Sequence, residues 1–489
     1  MKNKHSKIKF FPKPHKPSIP NRKSTQKTYA EEMADRQETV ENTLIIYRRI
    51  LPALLKKLSN IPDPRQPGKV KYKMTMLMLY GILMFVFQVS SRRQANREMS
   101  LPIFIENIKA MFPELENIPH ADTLARLLED ISDIEQIQEC MVELLKDLIR
   151  RKKFKNYLRD HQYLIAIDGT QKYSRDYRWA EQCLERHVSK GEEKTAQYYV
   201  YVLEAVLILD NGIILPVVSE FLDNKEYANE ATKQDCERKA FYRIAQKIKS
   251  IFPQSGLSIV VDGLYACGPI IHICRQYNWD YMIVLKDNCL KDVWEDAEGL
   301  MKLEEENHYE CYWGDRHQVY TWANAVPYYY GQHGRNKETF AVVICEEEWE
   351  EVDRNSGETK HKKTRYAWLS GRPINKDNVF NRCTKMARYR WKIENNILVE
   401  KHYGYEYEHC LSYNWNAMKG YHYLMKIAHL INELVIHSEL VIKKVKERGV
   451  RQFIKDLYDA LRGAVLDIQR IREVIARRCQ WRLVPSELN

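Results

Sequence analysis

Three charged residues lie at a spacing that suits phosphate chemistry. They are Arg390, Glu394 and Lys401, in the run RYRWKIENNILVEKH. The run has no Pro or Gly, so it predicts one helix. At about 100° per residue, that helix places the three side chains on one face. A carboxylate between two cations can hold a metal ion while the cations bind phosphate oxygens. The alternative is an ion pair between Arg390 and Glu394 with a solvated lysine.

Two further carboxylates follow apolar runs that have the character of buried strands. Asp168 ends the run Tyr-Leu-Ile-Ala-Ile-Asp-Gly, and Asp262 ends the run Leu-Ser-Ile-Val-Val-Asp-Gly. An acidic residue at the carboxyl end of a buried strand lies at the edge of the sheet where α/β proteins build their sites. The alternative for each Asp-Gly is a turn that only ends a strand. The combination of both strands with the Glu394 helix favours a shared acidic site.

These residues resemble the signature of DDE transposases from bacterial insertion sequences. Arg390-x3-Glu394-x6-Lys401 matches all but the first position of their Tyr-x2-Arg-x3-Glu-x6-Lys pattern, and the order Asp168, Asp262, Glu394 matches their catalytic triad. The signature Tyr would fall on position 387, which is Ala387 here. The resemblance extends over residues 163–409.

The resemblance implies an activity, a cofactor and partners. The three acids would hold two Mg²⁺ or Mn²⁺ ions, and Arg390 and Lys401 would bind DNA phosphates. The protein would bind the double-stranded ends of its insertion sequence, cleave them and join them to target DNA by cut-and-paste transposition, as a homodimer on DNA. The alternatives are a catalytically silent or domesticated DNA-binding protein, or an RNase H-like nuclease or resolvase.

The resemblance also implies a β-rich insertion that supplies an aromatic side chain to hold a flipped base during hairpin formation. The 132 positions between Asp262 and Glu394 are too many for one connection in a compact core. The candidates for the aromatic are Trp313, which precedes Gly-Asp-Arg, and Trp322. The alternative for each is a half-buried aromatic of a sheet.

The elements that position these residues predict an α/β protein. The expected fold is an RNase H-like catalytic core with an inserted β-rich subdomain, flanked by helical N-terminal and C-terminal regions. Asp210-Asn211-Gly212 between apolar runs predicts a hairpin of strands 198–209 and 213–221. The predicted domains are a disordered basic arm (1–27), a helical DNA-end-binding domain (28–156), the core (157–290 and 370–413), the β-rich insertion (291–369) and a helical C-terminal region (414–489).

Local patterns predict several boundaries that the structure can check. A helix is expected over 41–58, another over 74–89 in the core, and one whose N-cap is Asp122 or Thr123. The Glu394 helix is expected to break at Gly404, and four of its residues should supply apolar contacts: Trp391, Ile393, Ile397 and Leu398. In the C-terminal region Gly449 interrupts an apolar stripe that includes Val450.

Composition agrees with a protein that has a polyanionic partner. The chain of 489 residues has 77 Lys and Arg against 66 Asp and Glu, a formal charge of +11. Its 11 Cys form no CxxC pair, which predicts no zinc site and no disulfide framework. The apolar run at 74–89 is shorter than the roughly 20 residues that a membrane span needs. We therefore expect no membrane partner and a cytoplasmic, nucleoid-associated location in a bacterium.

Overall fold

The chain folds into two compact units, each of which contains both helices and strands. The structure is a computed structural model that describes residues 8–13, 18–190, 193–224, 235–353, 357–463, 466–477 and 479–484. The first unit contains Met1–Pro17, Arg159–Asp168 and Phe241–Ile393. The second contains Ser18–Leu158, Gly169–Ala240 and Glu394–Asn489. The protein is therefore mixed α/β.

The described residues contain eleven strands and fourteen α-helices. The strands are β1 (Lys9–Phe11), β2 (Tyr163–Arg175), β3 (Leu184–Lys190), β4 (Glu193–Ile208), β5 (Ile214–Phe221), β6 (Leu257–Val261), β7 (Asp280–Val284), β8 (His308–Trp313), β9 (Arg316–Tyr330), β10 (Asn336–Val352) and β11 (Thr359–Ser370). The helices are α1 (Tyr29–Leu58), α2 (Met74–Val86), α3 (Arg92–Glu98), α4 (Pro102–Met111), α5 (Ala121–Asp130), α6 (Glu135–Arg150), α7 (Glu237–Ile251), α8 (Gly268–Gln276), α9 (Lys291–Leu303), α10 (Trp391–His402), α11 (Trp415–Ile436), α12 (Ile442–Arg448), α13 (Val450–Arg462) and α14 (Ile468–Ala476).

A mixed sheet forms the centre of the first unit. Its strand order is β1-β8-β9-β10-β11-β7-β6-β2. The pairs β7–β6 and β6–β2 are parallel, as is β1–β8, whereas β8 to β11 form antiparallel pairs. The parallel strand β6 is short and mainly apolar, and all five of its residues are buried. Runs buried on both faces are typical of parallel strands, which explains the apolar sequence before each Asp-Gly.

The long hairpin of β10 and β11 is built from strands of opposite charge. Glu346 lies opposite Arg365, and Glu348 lies opposite Lys363. The Lys363 ammonium is 3.3 Å from a Glu346 oxygen and 3.2 Å from a Glu348 oxygen. Opposite charges on paired strands stabilise the sheet, so the acidic run continues β10 as far as Val352. The apolar pattern alone predicts a shorter strand over 339–345, because it does not extend into the acidic run.

The second unit combines helices with an antiparallel sheet. β3 pairs with β4 and β4 with β5, and Ile208 lies opposite Ile214 across the Asn-Gly turn. The predicted hairpin is confirmed. Every residue of α2 except Thr75 is buried, as expected for a core helix. In the described part of the chain, no helix is both long and apolar enough to cross a membrane.

Several predicted boundaries were wrong, and each error has a local cause. α1 begins at Tyr29 with a capping box between Thr28 and Glu31, upstream of the predicted start at 41. The side chain that caps α5 is His120, not Asp122 or Thr123. The predicted basic arm contains the strand β1, which pairs with β8. The sequence also predicts a helix over 231–250; this range begins outside the described residues, and the described helix starts at Glu237.

The helix that carries Glu394 also begins later than expected. α10 starts at Trp391, so Arg390 lies in a preceding 3₁₀ turn, Ala387–Arg390. The helix ends at His402, before Gly404, whose φ of +93° suits glycine. Of its four predicted apolar contacts, Ile393 and Ile397 are buried, but Trp391 and Leu398 are about half exposed.

The C-terminal helices follow the predicted pattern. The Asn414 side chain caps α11, and Gly449 separates α12 from α13 as expected. Val450 is exposed and does not belong to the buried stripe.

Candidate active site

The two predicted aspartates each follow a buried segment of two neighbouring parallel strands in the first unit's sheet. β2 and β6 are parallel, with Tyr163 opposite Leu257 and Ala166 opposite Val260. Continued two residues beyond the last paired residues, the same offset puts Asp168 level with Asp262. Neighbouring strands are about 4.8 Å apart, and residues in register point to the same face. The Asp168 and Asp262 side chains are 21% and 27% exposed, so both carboxylates are reachable from solvent.

Asp262 is fixed by two donors. One carboxylate oxygen accepts the Leu264 N–H at 2.8 Å, which caps the 3₁₀ turn Gly263–Tyr265. The other accepts from the Lys286 ammonium at 3.2 Å. A Cβ at position 263 would lie 2.8 Å from Lys286 Cγ, so the glycine leaves room for the lysine stem. The Asp262-Gly263 sequence thus positions both the acid and its counter-charge.

Asp168 is paired with the signature arginine. Arg390 Nη1 lies 3.4 Å from Asp168 Oδ2, and the arginine side chain is only 9% exposed. Its guanidinium carbon is 4.6 Å from the centre of the Trp391 ring. The sequence analysis expected Asp168 to end its strand, but β2 continues to Arg175. Asp168 instead lies inside β2, at the level where the neighbouring parallel strand β6 has already ended.

Glu394 and Lys401 belong to the second unit. Glu394 is half-buried in the first turn of α10. Lys401 is in the last turn, and its ammonium is 2.8 Å from a Glu408 oxygen. The first unit therefore brings together Asp168, Asp262 and Arg390.

The chemistry of this pair fits a hard divalent cation. Carboxylates such as Asp168 and Asp262 supply the oxygen ligands that Mg²⁺ prefers. Neighbouring carboxylates would repel each other, and the cations beside them, Arg390 at Asp168 and Lys286 at Asp262, would offset that repulsion. Across the described residues, no group of three or more His, Cys, Asp and Glu side chains is arranged to hold a metal ion. The structure thus shows a pair of carboxylates that suits such an ion.

A buried ionic network in the second unit holds α10. Glu400 accepts from the Lys426 ammonium and from His429 Nδ1, each at 2.7 Å. Lys426 is also 3.1 Å from Glu204 on β4. Burial acts to raise the pKa of Glu400, but Lys426 and His429 lower it below its ordinary value. Glu400 therefore stays charged and anchors the C-terminal end of the helix whose first turn carries Glu394.

The sequence analysis missed this network, although one signal was present. The polar residues of α11 recur at intervals of four, three and four along an apolar helix: His422, Lys426, His429 and Glu433. Such spacing places them on one face. The carboxylates Glu204 and Glu400, which pair with Lys426 and His429, are distant in sequence, and nothing local identifies them.

The two tryptophans proposed for base binding have different surroundings. Trp322 is 2% exposed, so its ring is enclosed by the protein. Trp313, at the end of β8, is half-buried. The Lys13 ammonium and the Arg388 guanidinium lie 5.3 and 4.9 Å from its ring centre. Of the two candidates, Trp313 is the more exposed.

Comparison with protein families finds a match in the N-terminal helices. Residues 55–145 match the model described as DDE_Tnp_1-associated, which is found in DDE transposase families. This range is less than a fifth of the chain and includes α2 to α5. It supports a transposase-related protein. Comparison with curated proteins finds no match.

Proposed function

We propose that the chain is a DDE transposase that cleaves the ends of its insertion sequence and joins them to target DNA. The observation that carries this proposal is the parallel pairing of β2 with β6 just before Asp168 and Asp262, with Arg390 beside Asp168. The family match over 55–145 is independent support, because it lies in a different part of the chain.

The order of elements supports an RNase H-like core. The first acid follows a buried part of β2, then come the β4–β5 hairpin, α7 and β6 with the second acid. α9 and the antiparallel strands β8 to β11 then lie between Asp262 and Glu394 in the chain, as expected for a β-rich insertion. DNA binding, like the RNase H-like assignment, is part of the proposal.

The proposed roles follow from the chemistry of each side chain. Asp168, Asp262 and Glu394 would hold Mg²⁺ or Mn²⁺, which stabilises developing negative charge and activates water in phosphate cleavage. Arg390 would bind a phosphate bidentately, and Lys401 would act as a point charge. Lys286 would hold Asp262 in position, because its ammonium contacts one carboxylate oxygen while the backbone holds the other.

The test is strand cleavage of duplex DNA that carries the inverted repeats flanking the gene. Asp168→Asn and Asp262→Asn keep the size of each side chain but remove its charge. We expect cleavage to fall by about a hundredfold or more, because the metal's contribution is several kcal/mol. Binding should change little, since affinity for DNA comes mainly from phosphate contacts.

A matched control is Asp353→Asn. Asp353 also accepts from a lysine, Lys360, at 2.7 Å, but it follows β10, away from the paired acids in the sheet order. This variant should cleave normally. Normal cleavage by Asp168→Asn with Mg²⁺ would refute the assignment. Cleavage without joining to a second duplex would indicate a nuclease instead.

A further inference from the structure

The N-terminal segment, residues 1–17, contributes the edge strand of the first unit's sheet beside Trp313. Its described part contains β1, which is only three residues long and comes first in the strand order. Among the described strands β1 pairs with β8 alone, whereas all six residues of β8 also pair with β9. β8 would therefore stay in the sheet without β1. Short edge strands of this kind belong to the parts of a fold that open most readily.

Few apolar side chains hold the segment in place. Phe11 is half-buried, and its ring is stacked on that of Phe380 with 3.7 Å between ring centres. Phe10 is 67% exposed, and its ring centre lies 6.4 Å from that of Tyr312. Because packing between side chains supplies much of the stability of a strand pair, one half-buried ring and a three-residue ladder are a weak anchor. β1 can thus detach without opening the core.

Lys13, at the end of the described part of the segment, lies over the ring of Trp313. Its ammonium is 5.3 Å from the ring centre and 3.0 Å from Asp315 Oδ1. Gly314 allows this approach, since its φ is +60° and a Cβ there would lie 2.7 Å from Lys13 Cβ. The Gly314 N–H also donates to the Phe11 carbonyl oxygen at 2.8 Å. The position of Lys13 over the ring therefore depends on the pairing of β1.

A second cation over the same ring is fixed in place. The Arg388 guanidinium carbon is 4.9 Å from the ring centre of Trp313. Arg388 binds Glu347, which is fully buried, and donates to the Tyr366 hydroxyl at 3.3 Å. A base and a cation cannot occupy the same ring face, so a stacking base must displace the cation that covers that face. Lys13 is the cation that can leave, because its segment is weakly anchored.

The charge of the segment indicates what would draw it away. Residues 1–17 contain six Lys and no Asp or Glu. The ion pair between Lys13 and Asp315 is on the surface, with side chains 35% and 61% exposed, and such pairs are weak. A DNA backbone carries closely spaced negative charges that bind Lys side chains strongly. Duplex DNA therefore competes well with one exposed carboxylate for this segment.

We propose that the N-terminal segment is a detachable cover of Trp313 that duplex DNA draws away. In the free protein β1 pairs with β8, and Lys13 covers the ring. On DNA the lysines of the segment bind phosphates, β1 leaves β8, and the ring of Trp313 becomes available to a base. The release rests on the proposed function, because DNA binding and the stacking of a base both belong to it. A permanent strand would instead stay paired on DNA.

The experiment uses two introduced cysteines to detect and to lock the pairing of β1. Phe10 lies opposite Tyr312, and both side chains are exposed, so Phe10→Cys with Tyr312→Cys leaves the core unchanged. Neighbouring strands are about 4.8 Å apart, a separation that a disulfide can span. The full chain is oxidised mildly without divalent ions, with and without a labelled duplex that carries the inverted repeats flanking the gene. Anisotropy of the label reports binding.

We expect the bound duplex to slow formation of this disulfide about tenfold or more, because it lowers the population of paired β1. Each single variant, Phe10→Cys or Tyr312→Cys, is a control for bonds to the native cysteines and should form no such lock.

A second readout follows the ring of Trp313. An extrahelical 2-aminopurine in the duplex loses fluorescence when it stacks on this ring. The reduced double variant should quench it, and the oxidised, locked form should quench it about tenfold less at the same concentration. Lys13→Ala in the locked form should restore quenching, because it uncovers the ring while β1 stays paired. Lys9→Ala, also an exposed lysine of the segment, is the matched control and should leave the locked form unable to quench.

Two results would overturn the proposal. One is a disulfide that forms at the same rate with and without bound duplex, since the segment then stays paired on DNA. The other is equal quenching by the oxidised and reduced forms, since the ring is then available without release.

Failure of the proposed function has different signs, and no readout depends on cleavage. A chain that binds no duplex would refute DNA binding and the release together. A slower disulfide with no quenching in the reduced form would support the release and remove Trp313 from base stacking.

Discussion

At the scale of single residues, the surroundings of Trp313 make it a rigid platform. Glu347 is fully buried and accepts from Arg316 and Gln318, each at 2.6 Å, and from Arg388. Burial acts to raise the pKa of Glu347, but Arg388 and the other donors lower it. Arg388 is thereby held 4.9 Å from the centre of the Trp313 ring. A ring fixed in this way loses little entropy when a base stacks on it.

Trp313→Ala should separate two steps of the proposed excision. Loss of a stacking partner costs about 1–3 kcal/mol per base, so hairpin formation should fall about tenfold or more. Nicking should continue, because the paired acids are not altered. The measurement follows nicked and hairpin products separately on the same labelled duplex.

The matched control for this variant is Trp349→Ala. Trp349 is also half-buried, and its ring centre lies 3.9 Å from the Arg316 guanidinium carbon, but it lies in the acidic run of β10. It should form hairpins normally. Hairpins at the normal rate in Trp313→Ala would remove Trp313 from this role.

At the scale of elements, the sequence predicts those strands and turns that have a local sequence pattern. The β4–β5 hairpin follows from Asn-Gly between apolar runs, and β6 from the mainly apolar run of five residues before Asp262. β3 and β1 were missed, because Leu184–Lys190 and Lys9–Phe11 contain charged residues and no alternating pattern. The formation of these strands depends on pairing with another strand. β1 pairs with β8, which is far away in the sequence, and β3 pairs with the long strand β4.

In the candidate site, too, local features could be predicted from the sequence, whereas contacts between distant residues could not. The strand runs before Asp168 and Asp262 are local, so the two strands could be predicted from the sequence. The contact of Arg390 with Asp168 could not, because it depends on the 3₁₀ turn that precedes α10. Lys286 was not recognised either, since a lone lysine after β7 has no distinctive spacing.

The buried network of α10 and α11 gives an element-scale prediction about pH. Burial acts to lower the pKa of His429, but Glu400 and Glu433 raise it from 6.5 to about 9. The contribution of His429 to stability is therefore complete below pH 6.5 and is lost as the pH rises through 9. Burial lowers the pKa of Lys172 from 10.5 to about 8. The cost of burying its charge is therefore relieved, and stability rises, as the pH increases from about 8 towards 10.5.

His429→Gln removes the titrating group but keeps a donor for Glu400. Between pH 7 and 9 we expect the free energy of unfolding of the wild type to fall more than that of the variant. The difference should be on the order of 1–3 kcal/mol, and Lys172 is common to both proteins and cancels. His437→Gln, at the end of the same helix, is the control and should behave as the wild type. Parallel pH profiles for His429→Gln and the wild type would contradict a charged His429.

At the scale of the whole molecule, net charge and stoichiometry bear on the proposed action on DNA. The formal charge of +11 favours association with a polyanion, and it would concentrate the protein on duplex DNA before any specific contact forms. Charge alone does not pair two ends. Cut-and-paste transposition needs both ends held together, and a symmetric dimer is the simplest assembly that holds two equivalent ends.

Mixing intact and inactive copies tests this stoichiometry. Wild type and Asp168→Asn are combined in equal amounts at constant total protein, before DNA that carries both ends is added. If each of two copies cuts one end, about one quarter of the paired complexes contain two intact copies, so excision should fall to about one quarter. Independent monomers would leave about half of all single-end cuts, with no dependence on protein concentration. Mixing with Asp353→Asn should leave excision unchanged, because that variant keeps both paired acids. Single-end cleavage at the half value, at every concentration, would rule out action as a dimer.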